Sequence, residues 1–153
     1  MSCRRGFTLV ETAVALVVVS LLMLIGFPKV SSAIARNNVR SSRTVVVNLL
    51  AKARASATIG NRKTWLKVGG NRAWILARPR LVAVAGSDAD TLGVVENLNS
   101  RYGTTVTLTS VDSIGFDPRG LGSGWTGTSG SITVSKGSYS DVIVVDGKGR
   151  VVK

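Results

Sequence analysis

The chain has 153 residues, 44% hydrophobic and 18% charged, with a net charge of +12. It has no histidine and one cysteine, Cys3, which excludes an intrachain disulfide, a Cys/His metal site and any nucleophile paired with a histidine base. No glycine-rich phosphate loop ending in Gly-Lys-Ser/Thr occurs either, so neither catalysis nor a cofactor is expected.

The first predicted element is a long helix. Residues 5 to 11 read Arg5-Gly6-Phe7-Thr8-Leu9-Val10-Glu11, and no further charge follows until Lys29. The apolar run from Phe7 to Phe27 has 21 residues. At 1.5 Å per residue it makes about 31 Å of helix, enough to cross a hydrocarbon core. A secretory signal has a shorter apolar core and a small-residue cleavage site. A carboxylate at the centre of a membrane helix costs roughly 2.5 to 3.5 kcal/mol, so Glu11 is a functional candidate. A cut after Gly6 supplies its partner: the new ammonium on Phe7 lies about one turn away, or faces the Glu11 of a neighbouring copy. A plain single-pass anchor, the competing reading, has no use for Glu11.

Pro28 stands at the membrane exit and predicts a bend, because it removes one backbone hydrogen bond. From Lys29 to Thr58 the sequence has no glycine or proline and keeps helical periodicity, with Val30, Ile34, Val45 and Leu49 on one side. Gly60-Asn61 ends the helix, Gly60 being suited to a left-handed cap.

Strands follow. Lys63 to Val68 and Arg72 to Ala77 flank Gly69-Gly70-Asn71 and predict a hairpin with a short glycine turn. Leu81 to Ala85 extends or follows it, and Asp88 to Arg101 reads as a loop or edge segment. Thr104 to Thr109, Ser131 to Ser135, Asp141 to Val145 and Arg150 to Val152 read as strands. Gly120 to Gly130 between them predicts a mobile loop. In Phe116-Asp117-Pro118-Arg119-Gly120-Leu121, aspartate, proline and glycine at the first, second and fourth positions match a type I turn. Phe116 and Leu121 are expected to anchor it in the core. The tryptophans Trp65, Trp74 and Trp125 are candidates for stacking on bases, although burial in the core is the expectation.

Glycine, phenylalanine and glutamate at these spacings beside the membrane run resemble the class III signal of type IV prepilins. The resemblance implies cleavage by prepilin peptidase between Gly6 and Phe7, N-methylation of Phe7, and an assembly role for Glu11. The turn at Phe116 to Leu121, the strand Ile132-Thr133-Val134 and the terminal Gly149-Arg150-Val151 resemble the C-terminal half of the GspH/FimT family of minor pilins and pseudopilins. An α+β, type IV pilin-like fold is implied, with a long N-terminal helix packed on an antiparallel β-sheet domain. Its expected divisions are a leader at 1–6, a transmembrane part at 7–28, an amphipathic part at 29–60 and a β-rich domain at 61–153. The implied protein is a single-pass subunit of the bacterial inner membrane, with its C-terminal domain periplasmic or extracellular. Its partners are other pilins in a type II secretion pseudopilus or a type IV pilus.

Charge bears on further partners. Between Glu11 and Asp88 there is no acid, yet Lys29 to Arg80 contains 12 Lys/Arg. Loss of Arg4 and Arg5 with the leader leaves 18 bases against 8 acids, a net +10. Arg36, Arg40, Arg43 and Arg54 project to one side of the helix. That face suits solvent, lipid head groups, acidic neighbouring subunits or DNA phosphates. FimT-like members active in DNA uptake carry a C-terminal Gly-Arg-x-Arg signature. Gly149, Arg150 and Val151 match its first three positions, and Val152 replaces the second arginine. Lys148, Arg150 and Lys153 are therefore the first candidates for DNA contact, and Arg36, Arg40 and Arg43 the second. Basic residues that protect an edge strand are the alternative reading of the tail.

Overall fold

The computed structural model describes residues 8–79, 89–109, 111–123 and 130–152. The leader and Phe7, the predicted strand Leu81 to Ala85, Trp125 with most of the predicted Gly120–Gly130 loop, and Lys153 lie outside the described residues. By contact density the chain forms two compact units, residues 1–35 and 36–153.

Helix α1 runs from Leu9 to Gly60 and passes through Pro28. The hydroxyl of Thr8 caps its start by accepting the Glu11 N–H at 3.3 Å. In the second unit the helix buries Val39, Ser42, Val46, Leu49, Leu50, Ala53 and Ala57. This differs from the predicted stripe: Val30 and Ile34 are exposed, and only Leu49 is fully in the core. The buried stripe instead runs through Val39, Val46 and Leu50, and the small residues Ser42, Ala53 and Ala57 that complete it do not register in a pattern of large apolar side chains. The end of α1 also differs. Asn61, not Gly60, takes the left-handed conformation, at φ 47°. Its N–H bonds to the Thr58 carbonyl and that of Arg62 to the Ala57 carbonyl, the paired bonds of a Schellman cap.

Two antiparallel sheets follow. The five-stranded sheet has the order β3-β2-β1-β5-β6, from Asp90–Asn97 (β3), Arg72–Ala77 (β2), Thr64–Gly69 (β1), Ser113–Phe116 (β5) and Gly122–Ser123 (β6). The three-stranded sheet has the order β4-β7-β8, from Thr105–Thr109, Gly130–Lys136 and Tyr139–Val145. The predicted hairpin is β1–β2, turning through Gly70 and Asn71 at φ 58° and 61°. Of the predicted segment Asp88 to Arg101, Asp88 lies outside the described residues, and the rest forms edge strand β3 and most of a short helix α2 (Leu98–Tyr102), which Asn97 caps by accepting the Ser100 N–H. Strand β3 bulges at Gly93–Val95, between its pairings Leu92↔Ile75 and Glu96↔Ala73. Arg150 to Val152 is no full strand and makes one bridge, Val145↔Val151.

The core joins Val46, Leu50 and Ala53 of α1 to Leu66, Ile75, Ile114, Phe116, Ile132, Val134 and Ile143 of both sheets. Because Ala53 and Ala57 are small, β1 approaches the helix backbone closely. The Thr64 hydroxyl donates to the Ala53 carbonyl at 2.8 Å, and Ser42 and Thr104 share a buried hydroxyl bond of 2.8 Å. At the hairpin tip, the Asn71 side-chain oxygen accepts the Val106 N–H and its carbonyl accepts the Leu98 N–H. One turn residue thereby ties the first sheet to α2 and β4.

Candidate functional site

The apolar half of α1 is the first candidate. Its most apolar window has a mean hydropathy of 2.5 and no buried residue, and it is the one helix among the described residues apolar enough to span a membrane. Leu9, Leu16, Leu24 and Phe27 are all exposed. Glu11 is exposed among them. Thr8 at the cap and Glu11 three residues later also fit the Thr-x-x-Glu pattern of a capping box. Glu11 thus has a local use at the helix start besides any pairing role.

The second candidate lies where two turns meet the end of α1. Asp117-Pro118-Arg119-Gly120 and Asp146-Gly147-Lys148-Gly149 are the same device used twice. In each, the aspartate carbonyl accepts the glycine N–H at 2.9 and 2.8 Å, and the aspartate N–H donates to the carbonyl after the glycine. Both glycines take φ 76°, which supplies the left-handed residue that follows a type I turn in a hairpin. Each carboxylate accepts two backbone N–H groups, from Arg119 and Leu121 in the first turn and from Lys148 and Arg150 in the second. The N–H of Leu121 holds Asp117 below the ordinary carboxyl range, and the N–H of Arg150 does the same for Asp146, with a guanidinium assisting each. A Cβ on Gly149 would stand 2.8 Å from the Phe116 ring, so only glycine lets the second turn sit against the first hairpin. Phe116 is buried as predicted, whereas Leu121 is 41% exposed and does not anchor the turn.

The two turns and the helix enclose an open groove of about 470 Å³, lined by Val47, Leu50, Ala51, Arg54, Arg119 and Arg150 among others. Three guanidiniums from three separate elements therefore share one groove with an apolar floor. Arg119 and Arg150 also pair with the carboxylates of their own turns, at 3.1 and 3.2 Å. Sequence spacing points to Arg150 and Lys148, of which only Arg150 lines the groove, and not to Arg119, which joins Arg150 there only through the fold. The repeated Asp-x-Arg/Lys-Gly spacing is the signal that could have found it.

The helix arginines are not equivalent. Arg54 belongs to the groove. Arg36 lies over the Tyr139 ring, 5.2 Å from its centroid. Arg43 faces Asp141 with Nε 3.2 Å from the carboxylate, an ion pair whose N–H is misaligned for a hydrogen bond. Arg40 is exposed. Trp65 and Trp74 are half-buried, outside the core cluster, on the sheet face opposite Leu66 and Ile75. The expectation that they fill the core is therefore corrected: β1 and β2 turn Thr64, Leu66, Ala73 and Ile75 inward, and residues of opposite parity point outward.

A long N-terminal helix whose second half packs on antiparallel sheets is the type IV pilin fold. Its solved likenesses include the type IV minor pilin FimU of Pseudomonas aeruginosa in two crystal forms. One gives a TM-score of 0.57 at 20% identity over 76% of this chain and 87% of that one, and the other 0.53 at 19% identity over 73% and 89%. The chain belongs to the family described as type II transport protein GspH, whose family model matches residues 42–149. Residues 1–27 match the prokaryotic N-terminal methylation motif. No curated protein sequence matches the chain significantly.

Proposed function

We propose that this protein is a non-catalytic minor pilin or pseudopilin, a structural subunit of a type II secretion pseudopilus or a type IV pilus. Before assembly it sits in the bacterial inner membrane through the apolar half of α1, with the domain carried outside the cytoplasm. Prepilin peptidase cuts between Gly6 and Phe7, and Phe7 is then N-methylated. The observation that carries this reading is the wholly uncovered apolar helix with Glu11 as its one acid, which requires lipid or neighbouring helices around it. Intact-mass analysis of the protein extracted from membranes is expected to find a chain that begins at methylated Phe7. A mature chain that keeps Met1 to Gly6 in cells with active peptidase would overturn the reading. Co-isolation with major pseudopilins or with major pilins separates the two machines.

The groove of Arg54, Arg119 and Arg150 supports a second reading, a minor pilin that captures DNA through its phosphates. Full-length protein in neutral detergent is then expected to shift duplex DNA in a gel at low salt. Affinity should fall steeply as salt rises, because each neutralised phosphate releases counterions. Replacing Lys148, Arg150 and Lys153 together by alanine tests the tail and should weaken the shift, and replacing Arg54, Arg119 and Arg150 together should abolish it. Loss only on replacing Arg36, Arg40 and Arg43 would move the contact to the helix.

A further inference from the structure

The outward face of the β1–β2 hairpin carries Trp65, Lys67 and Gly69 on one strand and Arg72, Trp74 and Leu76 on the other. The register sets Trp65 opposite Leu76, Lys67 opposite Trp74 and Gly69 opposite Arg72. Successive rows are about 6.8 Å apart by the rise of an antiparallel strand. Two indoles and two cations thus alternate over one small face, and the groove beside Trp74 shares no lining residue with the arginine groove.

Two glycines shape this face. A Cβ on Gly69 would lie 3.5 Å from Cη2 of Trp74, and one on Gly115 of β5 would lie 3.0 Å from Cδ1 of Trp65. Each indole therefore packs beside a glycine, shared at Gly115 with the Ser123 carbonyl of β6, and the missing side chain lets the ring lie low on the sheet while it stays partly exposed. Beside Trp74 lies an open groove of about 480 Å³, lined also by Gly69, Gly70, Arg72 and Val95. Val94 and Val95 stand out from the β3 bulge, at 75% and 42% exposure.

The charge of the face is one-sided. Strands β1 and β2 contain no acid. The two acids of β3 are taken up elsewhere, Asp90 by Arg62 at 3.3 Å and Glu96 by Arg101 at 3.4 Å. Lys67 and Arg72 are exposed and have no carboxylate partner among the described residues.

We infer that this face is a stacking platform for single-stranded nucleic acid, with Trp74 and Trp65 taking bases and Lys67 and Arg72 taking the adjoining phosphates. The ratio of rings to cations carries the choice of ligand. A single strand presents one phosphate per base, and this face presents one cation per indole. Duplex DNA hides its base faces and has no use for the indoles. The platform does not depend on the filament role or on the arginine groove.

The test is a titration of the full chain in neutral detergent with oligo(dT) of about 12 nucleotides, within the usual site size, followed by tryptophan fluorescence. Quenching that weakens with salt is expected. Trp74→Ala should weaken binding about tenfold, within the range for loss of one stacked base, and Lys67→Glu with Arg72→Glu should abolish it. Trp74→Phe keeps a ring over Gly69 and should retain most of the affinity, which separates stacking from damage to the sheet. Unchanged affinity in both Trp74→Ala and the charge-reversed variant would overturn the inference. So would loss confined to the variant lacking Lys148, Arg150 and Lys153, or Trp74-dependent binding of heparin without any of oligo(dT).

Discussion

The carboxylate of Asp146 accepts N–H groups from Lys148 and Arg150, and that of Asp117 accepts those of Arg119 and Leu121, so each ionised side chain holds a turn closed from within. These bonds favour the charged form and lower both groups below their ordinary value of 3.8. A carboxyl depressed in the folded state contributes stability that is present above its unfolded value and lost as pH falls through the folded one. Asp117→Asn and Asp146→Asn are therefore expected to lower the thermal midpoint at pH 7, with the gap to the parent protein closing below about pH 4. Thermal melts across that range check this, and a gap that stays constant into acid would show that the charge is irrelevant. The first turn is legible in the sequence because proline and glycine frame it. The second has the same aspartate-to-glycine spacing, but Gly147 replaces the proline, and the segment resembles a basic tail. The tryptophans mislead for a related reason: large aromatics suggest a core, while strand parity decides which face they take.

Among the elements, α1 and the β1–β2 hairpin are legible because length, lack of breakers and a glycine turn specify them locally. Strands β3 and β5 are not. Strand β3 is an edge strand interrupted by a bulge at Gly93, and the four residues of β5 owe their form to pairing with β1. The contact between α1 and β1 is likewise invisible to hydrophobic periodicity, since Ala53 acts through its smallness and Thr64 through a hydroxyl. Thr64→Val keeps the shape but removes the bond to the Ala53 carbonyl, and should cost about 1 kcal/mol, or a few degrees in the thermal midpoint. Thr64→Ser keeps the donor and should restore most of this. A loss in Thr64→Ser with none in Thr64→Val would mean that the methyl contact, not the hydrogen bond, secures the strand. Thr104→Val is expected to cost more, about 1–3 kcal/mol, because it leaves the buried Ser42 hydroxyl without its partner.

At the scale of the whole molecule, the domain buries its own core, but the apolar half of α1 cannot cover its side chains without other molecules. Glu11 is where that dependence is most acute, and it has two candidate roles that a truncation to alanine confounds. One is local, since glutamate at the third position after a threonine cap supports the helix start. The other is intermolecular, since its carboxylate would neutralise an N-terminal ammonium in low dielectric. Glu11→Gln separates them, because glutamine serves in a capping box but carries no charge. Breaking a buried pair by removing one partner costs about 3 to 5 kcal/mol, which is a hundredfold or more in partition into the filament. Both Glu11→Ala and Glu11→Gln are thus expected to vanish from sheared filaments while remaining in the membrane fraction at normal levels. Near-normal recovery of Glu11→Gln beside a defective Glu11→Ala would assign Glu11 to the helix cap and remove it from subunit pairing.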